Sequence, residues 1–184
     1  MTEPRIAPLD IDSYHRLERE AFGADGWTGT AHVSRTWAHS PGLMKAQRPL
    51  QHYLLNDSPL PARDRELAIL RVVWRRRCEY AFGQHVRMSA AAGVTPDEVE
   101  RVTRGPGAEG WTPFEATLLR AVDELHDDGD LTDATWAELA ETYDRAQLID
   151  LIAVVGRYWT VATTLNTLGV PPEPGLPGFP ASGH

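Results

Sequence analysis

The sequence lacks several features that mark common protein classes. It has 1 cysteine in 184 residues, so one chain can form neither a disulfide, nor a C-x-x-C redox pair, nor a thiolate zinc site. The chain has 18 Lys and Arg residues against 26 Asp and Glu residues, which gives a formal net charge of -8. The dense basic run at 75–77 is too short to follow a phosphate backbone. Nucleic acid is therefore not an expected partner.

Long apolar runs and targeting signals are also missing. No stretch approaches the roughly 18 consecutive apolar residues of a membrane span. The N-terminal sequence MTEPRIAPLDID has no apolar segment of the secretory type. The histidines show no metal-ligand spacing such as H-E-x-x-H, so no metal is implied. We expect a soluble, cytoplasmic protein with no membrane partner, since a reducing compartment suits a lone cysteine.

Helix signals are present along most of the chain. The segments 95–98 and 112–115 both read Thr-Pro-x-Glu, with a capping hydroxyl, a proline at the first helical position and a glutamate at the third. No Asn-Gly or Asp-Gly pair joins two alternating runs as in a β-hairpin. The sequence predicts an all-α fold with seven to nine helices and no sheet.

The last long helix is predicted after Asp144. Its apolar residues recur at intervals of three and four and predict one buried face; they are Leu148, Leu151, Ile152, Val155 and Trp159. We expect Trp159 in the core rather than beside a substrate.

The domain organisation is predicted to be simple. Residues 1–170 are expected to form one helical domain, because this length buries a core without disulfides. Residues 171–184 contain five prolines and three glycines and cannot be helical. We expect this tail to lie extended over the surface or over a neighbouring subunit. The tail, six tryptophans and a long apolar helix together favour a homo-oligomer.

Glu66, Cys78 and His85 are candidate site residues within RELAILRVVWRRRCEYAFGQH. Glu66 shares a mostly apolar helix face with Leu70 and Val73, so we expect its carboxyl group to be partly buried. Neighbouring arginines leave the direction of its pKa shift open, and one of them is an alternative structural partner for the carboxylate.

Cys78, Ala81 and His85 share one face of the next helix. Seven positions separate the cysteine from the histidine by roughly 10 Å along a straight helix, too far for direct contact. Ala81 is the closer neighbour of His85.

The spacing of these residues resembles that of a known family. The pattern of a Glu, eleven residues, a Cys, two residues, a second Cys, three residues and a His is that of the AhpD-like alkylhydroperoxidases within the carboxymuconolactone decarboxylase superfamily. REL, ILRV, QHVRMSAAAGV and TPDEVE add to the resemblance, and looser similarity covers about residues 30–180. It implies an all-helical fold around a helical hairpin, assembled into trimers or hexamers, or into dimers.

Ala81 stands where the resemblance implies the second cysteine, which breaks the redox pair. The decarboxylase branch works without that pair, with a carboxylate and a histidine moving protons. We therefore favour a cofactor-free lyase or isomerase that acts on a small organic acid or lactone, with Glu66 and His85 as catalytic residues. Ala81 leaves room for this substrate and Tyr80 forms a wall of its site.

Two alternatives remain at this stage. Cys78 is a candidate catalytic residue of a one-cysteine peroxidase, recycled by an external thiol, if Arg77 and a helix N-terminus lower its pKa. It is equally a candidate for an inert packing residue. The second alternative is a non-catalytic oligomeric binding protein that has kept the fold.

Overall fold

A computed structural model describes residues 3–23 and 29–181. These residues contain nine α-helices and no β-strand, which confirms the predicted all-α fold. The helices are α1 Ile11–Phe22, α2 His32–Trp37, α3 Pro41–His52, α4 Ala62–Arg75, α5 Glu79–Ser89, α6 Pro96–Arg104, α7 Pro113–Asp127, α8 Asp133–Ala140 and α9 Arg145–Leu168. A π-helical turn, Tyr53–Asp57, continues α3, and a 3-10 turn, Ala90–Ala92, continues α5.

The chain forms two compact units. The first comprises the described residues of Met1–Asp57 together with Thr164–Gly175, and the second comprises Ser58–Thr163 with the described residues of Leu176–His184. The single domain expected over 1–170 stays a prediction.

The first unit has a small core of its own. Tyr14, Ala38 and Met44 are the buried residues of this small core. The beginning of the proline-rich tail is tied to this unit, because the backbone N–H of His32 donates to Glu173 Oε1 at 2.7 Å. The ring nitrogen Nδ1 of His32 also lies 2.8 Å from the Pro171 carbonyl oxygen.

The second unit is organised around the antiparallel pair α4 and α5. Every side chain from Glu66 to Val73 is buried, so α4 forms the centre of the unit and packs against α5, α6 and α7. This arrangement confirms the predicted central helical hairpin.

A left-handed residue closes α4 and starts the turn into α5. Arg77 has φ 52°, which is strained for a residue with a Cβ. It completes a Schellman motif, because Cys78 N–H donates to the Val73 carbonyl at 2.9 Å and Arg77 N–H to that of Trp74 at 2.8 Å. The motif satisfies the last carbonyls of α4 and places Cys78 directly before α5.

The end of the proline-rich tail packs on the outer side of α5. A Cβ at Gly83 would lie 2.2 Å from the Pro177 carbonyl oxygen, so glycine is required for this close approach. The Phe179 ring packs edge-to-face on Trp74 and Phe82, with centroid distances of 4.7 and 5.2 Å. The tail is extended, as predicted, and residues 182–184 lie outside the described part.

One arginine links the starts of two helices. Glu98 of α6 and Glu115 of α7 both complete capping boxes with the threonines that precede these helices. Arg63 of α4 forms ion pairs with both carboxylates, at 2.7 Å in the case of Glu115. The Arg63 guanidinium group lowers the pKa of Glu98 to about 2. The two predicted capping boxes therefore also hold α6 and α7 against α4.

We predict that Arg63→Met lowers the free energy of unfolding by about 2 kcal/mol at pH 7, because it removes charge-assisted hydrogen bonds to two carboxylates. The native pKa of Glu98 lies below its ordinary value of 4.5, so the stabilisation is present above that value and is lost as the pH falls toward 2. Urea titrations at several pH values measure both effects. Arg104→Met, at an exposed position, is the control and should change stability by less than about 0.5 kcal/mol. An equal loss in the two variants would contradict the prediction.

The predicted buried face of α9 is wrong in part. Leu148, Leu151 and Val155 are buried as expected, but Ile152 is 42% exposed and Trp159 is 39% exposed. Tyr158 takes the buried position instead of Trp159. The helix has apolar residues on two faces, so its periodicity could not decide which face lies inward.

None of the fully exposed residues of α9 from Ala146 to Thr167 is charged, although Arg157 is partly exposed and the Arg76 guanidinium group stacks on the Trp159 ring at 4.4 Å. The exposed face of this helix includes Ile149, which is 65% exposed. Among the described helices, α9 alone has the length and mean hydropathy of a membrane span, and half of that stretch is buried inside the protein, as in a core helix.

We predict that the chain self-associates through this largely apolar face, because an exposed apolar helix face is stabilised by burial against another copy. Ile152→Arg should weaken the association at least about tenfold, measured by analytical ultracentrifugation. Leu43→Arg, which changes a residue of similar exposure on α3, is the control. A wild-type chain that is monomeric at micromolar concentration would contradict this prediction.

Candidate functional site

Glu66 and His85 face each other across the α4–α5 hairpin. His85 Nδ1 lies 2.7 Å from Glu66 Oε2, within hydrogen-bond distance. The two residues are 1% and 5% exposed, so the contact is shielded from water. The expectation that Glu66 is buried is confirmed, whereas the catalytic role of the pair stays a prediction.

Glu66 has a second partner in the preceding residue. Arg65 Nε lies 3.4 Å from Glu66 Oε1, the oxygen that does not contact His85. The structural and the functional interpretations of Glu66 are therefore compatible. The cationic neighbour on one oxygen and the imidazole on the other both offset the free-energy cost of burying this carboxylate.

The contact with Glu66 also decides which His85 nitrogen is available for chemistry. An ionised carboxylate only accepts hydrogen bonds, so beside it Nδ1 carries the hydrogen, and in the neutral ring Nε2 is the nitrogen with the lone pair. Among the described residues, Nε2 has no hydrogen-bond partner. It is also not among the fully buried nitrogen and oxygen atoms that lack a partner. The geometry leaves a base at Nε2, held in place through Nδ1.

Tyr158 is a third residue at this site, and the sequence analysis did not identify it. Its ring packs perpendicular to the His85 imidazole, with 4.7 Å between the centroids. It comes from α9, more than seventy positions along the chain. The sequence offered one signal for Tyr158, its position three residues after the buried Val155 in the apolar repeat. Trp159, four residues after Val155, fits the same repeat, so the signal did not choose between them.

Cys78 lies immediately before α5 and is fully buried. Burial raises the pKa of its thiol to about 11. The condition of the peroxidase alternative, a pKa lowered by Arg77 and the helix N-terminus, is therefore not met, because Arg77 is exposed and the loss of hydration exceeds the effect of the Ala81 backbone N–H. A thiol in this state resembles a packing residue.

Ala81 and Tyr80, the two predicted substrate-binding residues, are both buried on α5. The aromatic ring that packs on His85 belongs to Tyr158 and not to Tyr80. The roles of Ala81 and Tyr80 in substrate binding stay predictions.

An apolar groove of about 240 Å³ runs along the outer side of α5. Its lining residues are Phe82, Val86, Ala90, Val94, Pro96, Val99, Gly178 and Pro180. Glu66, Cys78 and His85 are not among them, so this groove is separate from the acid-base pair.

Potential metal ligands do not cluster in the described part of the chain. No group of three or more His, Cys, Asp or Glu side chains there could hold a metal ion.

Several solved structures share this fold. An alkylhydroperoxidase AhpD core, an uncharacterized peroxidase-related protein from Ralstonia eutropha JMP134, is 17% identical with a TM-score of 0.75, over 95% of this chain and 96% of that one. A peroxidase-related protein from Silicibacter sp. TM1040 is 15% identical with a TM-score of 0.75, over 96% and 97%. The debrominase Bmp8 is 14% identical with a TM-score of 0.69, over 92% of each chain. At these identities the likeness establishes the fold alone.

The sequence comparison adds the family. No curated protein matches the chain. Residues 41–124, which include α4, α5 and the Glu66–His85 pair, match the model of the carboxymuconolactone decarboxylase family. The match covers less than half of the chain, so it relates the central segment to that family, and the solved structures add a shared fold.

Proposed function

We propose that this protein is a cofactor-free lyase or isomerase that transfers protons on a small organic acid or lactone. The observation that carries the proposal is the buried 2.7 Å contact between Glu66 and His85 Nδ1. It leaves Nε2 without a partner among the described residues, so this atom can accept a proton when the ring is neutral.

In this proposal Glu66 positions His85 and His85 acts on the substrate. His85 Nε2 takes a proton from the carbon next to a carbonyl group, and the electron pair of the broken C–H bond forms an enolate. The Glu66 carboxylate stabilises the imidazolium that results, as the buried acid does in other acid-base pairs. Return of the proton to a different carbon completes an isomerisation.

Decarboxylation uses the same residues in a different order. The bond between the substrate carbon and its carboxylate breaks, carbon dioxide leaves, and the electron pair stays on the substrate as an enolate. Protonated His85 then delivers its proton to that carbon. Both reactions need a single histidine that changes its protonation state during turnover.

Peroxide reduction by Cys78 is the alternative function. The names of the peroxidase-related structures favour it for those proteins, but one fold supports many reactions. Cys78 gives it less support here, because the thiol is fully buried and its pKa is raised to about 11. A non-catalytic binding role is the third candidate.

We predict that wild-type protein exchanges the enolisable hydrogens of small carboxylated lactones or 2-oxo acids for deuterium, or releases carbon dioxide from them. His85→Gln should lower the rate by about 10² to 10⁴, the usual contribution of a general acid-base group. Glu66→Gln should lower it less, because Nε2 stays in place. NMR in deuterated water measures exchange, and a coupled assay measures carbon dioxide.

His126→Gln is the matched control for these variants. His126 Nδ1 lies 2.8 Å from Asp127 Oδ1, so this variant also breaks a histidine-carboxylate pair, but at the end of α7, where Asp127 pairs with Arg75 and not with Glu66 or His85. It should leave the rate unchanged. Full activity of His85→Gln, or a wild-type protein inactive on every compound of this class, would contradict the proposal.

A separate prediction concerns the thiol. Because burial raises its pKa to about 11, Cys78 should be almost entirely protonated at pH 7.5 and should react with iodoacetamide far more slowly than free cysteine. Cys78→Ala should retain proton-exchange activity. Mass spectrometry measures alkylation, with urea-unfolded protein as the control. Rapid alkylation of the folded chain, or peroxide consumption that Cys78→Ala abolishes, would instead favour the peroxidase.

A further inference from the structure

Helix α9 brings a phenol to the acid-base pair. Tyr158 is 8% exposed, and its ring packs at 90° to the imidazole of His85 at a centroid distance of 4.7 Å. The contact places the tyrosine ring directly beside the imidazole at which a substrate would bind. A residue that comes from a different helix can therefore share in the chemistry of the α4–α5 hairpin.

The hydroxyl group of Tyr158 is not engaged by another group in the described part of the chain. This hydroxyl has no hydrogen-bond partner among the described residues. It is also not among the fully buried nitrogen and oxygen atoms that lack a partner. Tyr143, another buried tyrosine, differs in this respect, because its hydroxyl donates to Asp64 Oδ2 at 2.6 Å. Tyr158 thus buries its ring and leaves its polar end unused.

This phenol stays protonated at physiological pH. Burial and the negative charge of Glu66 raise its pKa well above the ordinary value, and the positive charges of Arg157 and Arg65 oppose the shift only in part. A neutral phenol can donate a hydrogen bond in a buried site without placing an unpaired charge there. Sites that use a tyrosine to stabilise an enolate work in this way.

The proposed chemistry requires such a donor. Proton abstraction and decarboxylation both leave an electron pair on the substrate, which moves onto a carbonyl oxygen. Glu66 is negative and already contacts Arg65 and His85, so it cannot stabilise this oxyanion. His85 Nε2 faces the carbon that loses or gains the proton. Tyr158 is the remaining polar side chain observed in contact with the pair.

We propose that the Tyr158 hydroxyl is a catalytic donor that hydrogen-bonds the carbonyl oxygen of the substrate and stabilises the enolate formed on it. The inference rests on the proposed function and narrows its substrate class to acids or lactones with a carbonyl group next to the reacting carbon. Tyr158 keeps its proton throughout. His85 Nε2 carries the proton that reaches or leaves the substrate carbon, and in decarboxylation it takes that proton from solvent.

The first test uses an oxyanion probe and needs no substrate. 4-Nitrophenol changes its absorbance when it ionises, so a titration reports how well the protein binds the anion. Tyr158→Phe keeps the ring against His85 and removes only the hydroxyl. We expect it to weaken binding of 4-nitrophenolate by about tenfold or more, the usual effect of a lost hydrogen bond to a charged group. Tyr143→Phe, which removes a buried hydroxyl elsewhere, should leave probe binding unchanged.

The second test separates catalysis from packing. With a compound that the wild type exchanges or decarboxylates, Tyr158→Phe should lower kcat by about 10- to 1,000-fold with little change in KM, because the hydrogen bond strengthens as the oxyanion forms. Its thermal midpoint should equal that of the wild type. Tyr158→Leu removes the ring as well and should lose both activity and stability.

The outcomes distinguish the two proposals. Wild-type probe binding and kcat in Tyr158→Phe, with loss only in Tyr158→Leu, would overturn the role of the hydroxyl and leave the ring as packing. A wild type that does not bind 4-nitrophenolate would also overturn it. If His85→Gln stays fully active, the proposed function itself fails, whatever the probe shows.

Discussion

Moving a carboxylate and an imidazole out of water costs free energy, and in this protein their mutual contact offsets that cost. Glu66 and His85 come from consecutive helices, so the 2.7 Å bond between them fixes how α4 and α5 pack as well as what the site can do. Loss of one partner of such a buried pair costs about 3 to 5 kcal/mol, because the other is left uncompensated. Arg65 Nε lies 3.4 Å from the second oxygen of the carboxylate, so each oxygen of Glu66 has a nitrogen of another side chain beside it.

The parts that surround this pair set its geometry. The Schellman motif at Arg77 reverses the chain after α4, and α5 then begins with Cys78 already inside the core. On the other side of α5, the tail packs against Gly83, where a side chain would clash with the Pro177 carbonyl. Helix α5 is thus held from two sides, and His85 is directed toward Glu66. The two candidate chemistries differ as a result. One imidazole nitrogen has no partner among the described residues, whereas burial of the thiol raises its pKa to about 11.

Local signals in the sequence were enough for the fold and for half of the site. Capping boxes before α6 and α7 depend on residues three positions apart, and the Glu66–His85 pair lies within one hairpin, so pattern and spacing predict both. The sequence could not predict which face of α9 points inward, because Ile152 and Trp159 are as apolar as the residues that are buried. That error concealed Tyr158. The direction of the Cys78 pKa shift stayed open in the sequence, since burial depends on packing from the whole unit.

The hydrogen bond between His85 and Glu66 is the central claim, and proton NMR in water tests it most directly. An imidazole N–H that donates to a buried carboxylate resonates far downfield of other ring protons and exchanges slowly with solvent. The account predicts one such resonance that disappears in His85→Gln, shifts upfield in Glu66→Gln, and persists in Cys78→Ala and Tyr158→Phe. A wild-type spectrum without this resonance, or one that keeps it unchanged in Glu66→Gln, would contradict the account.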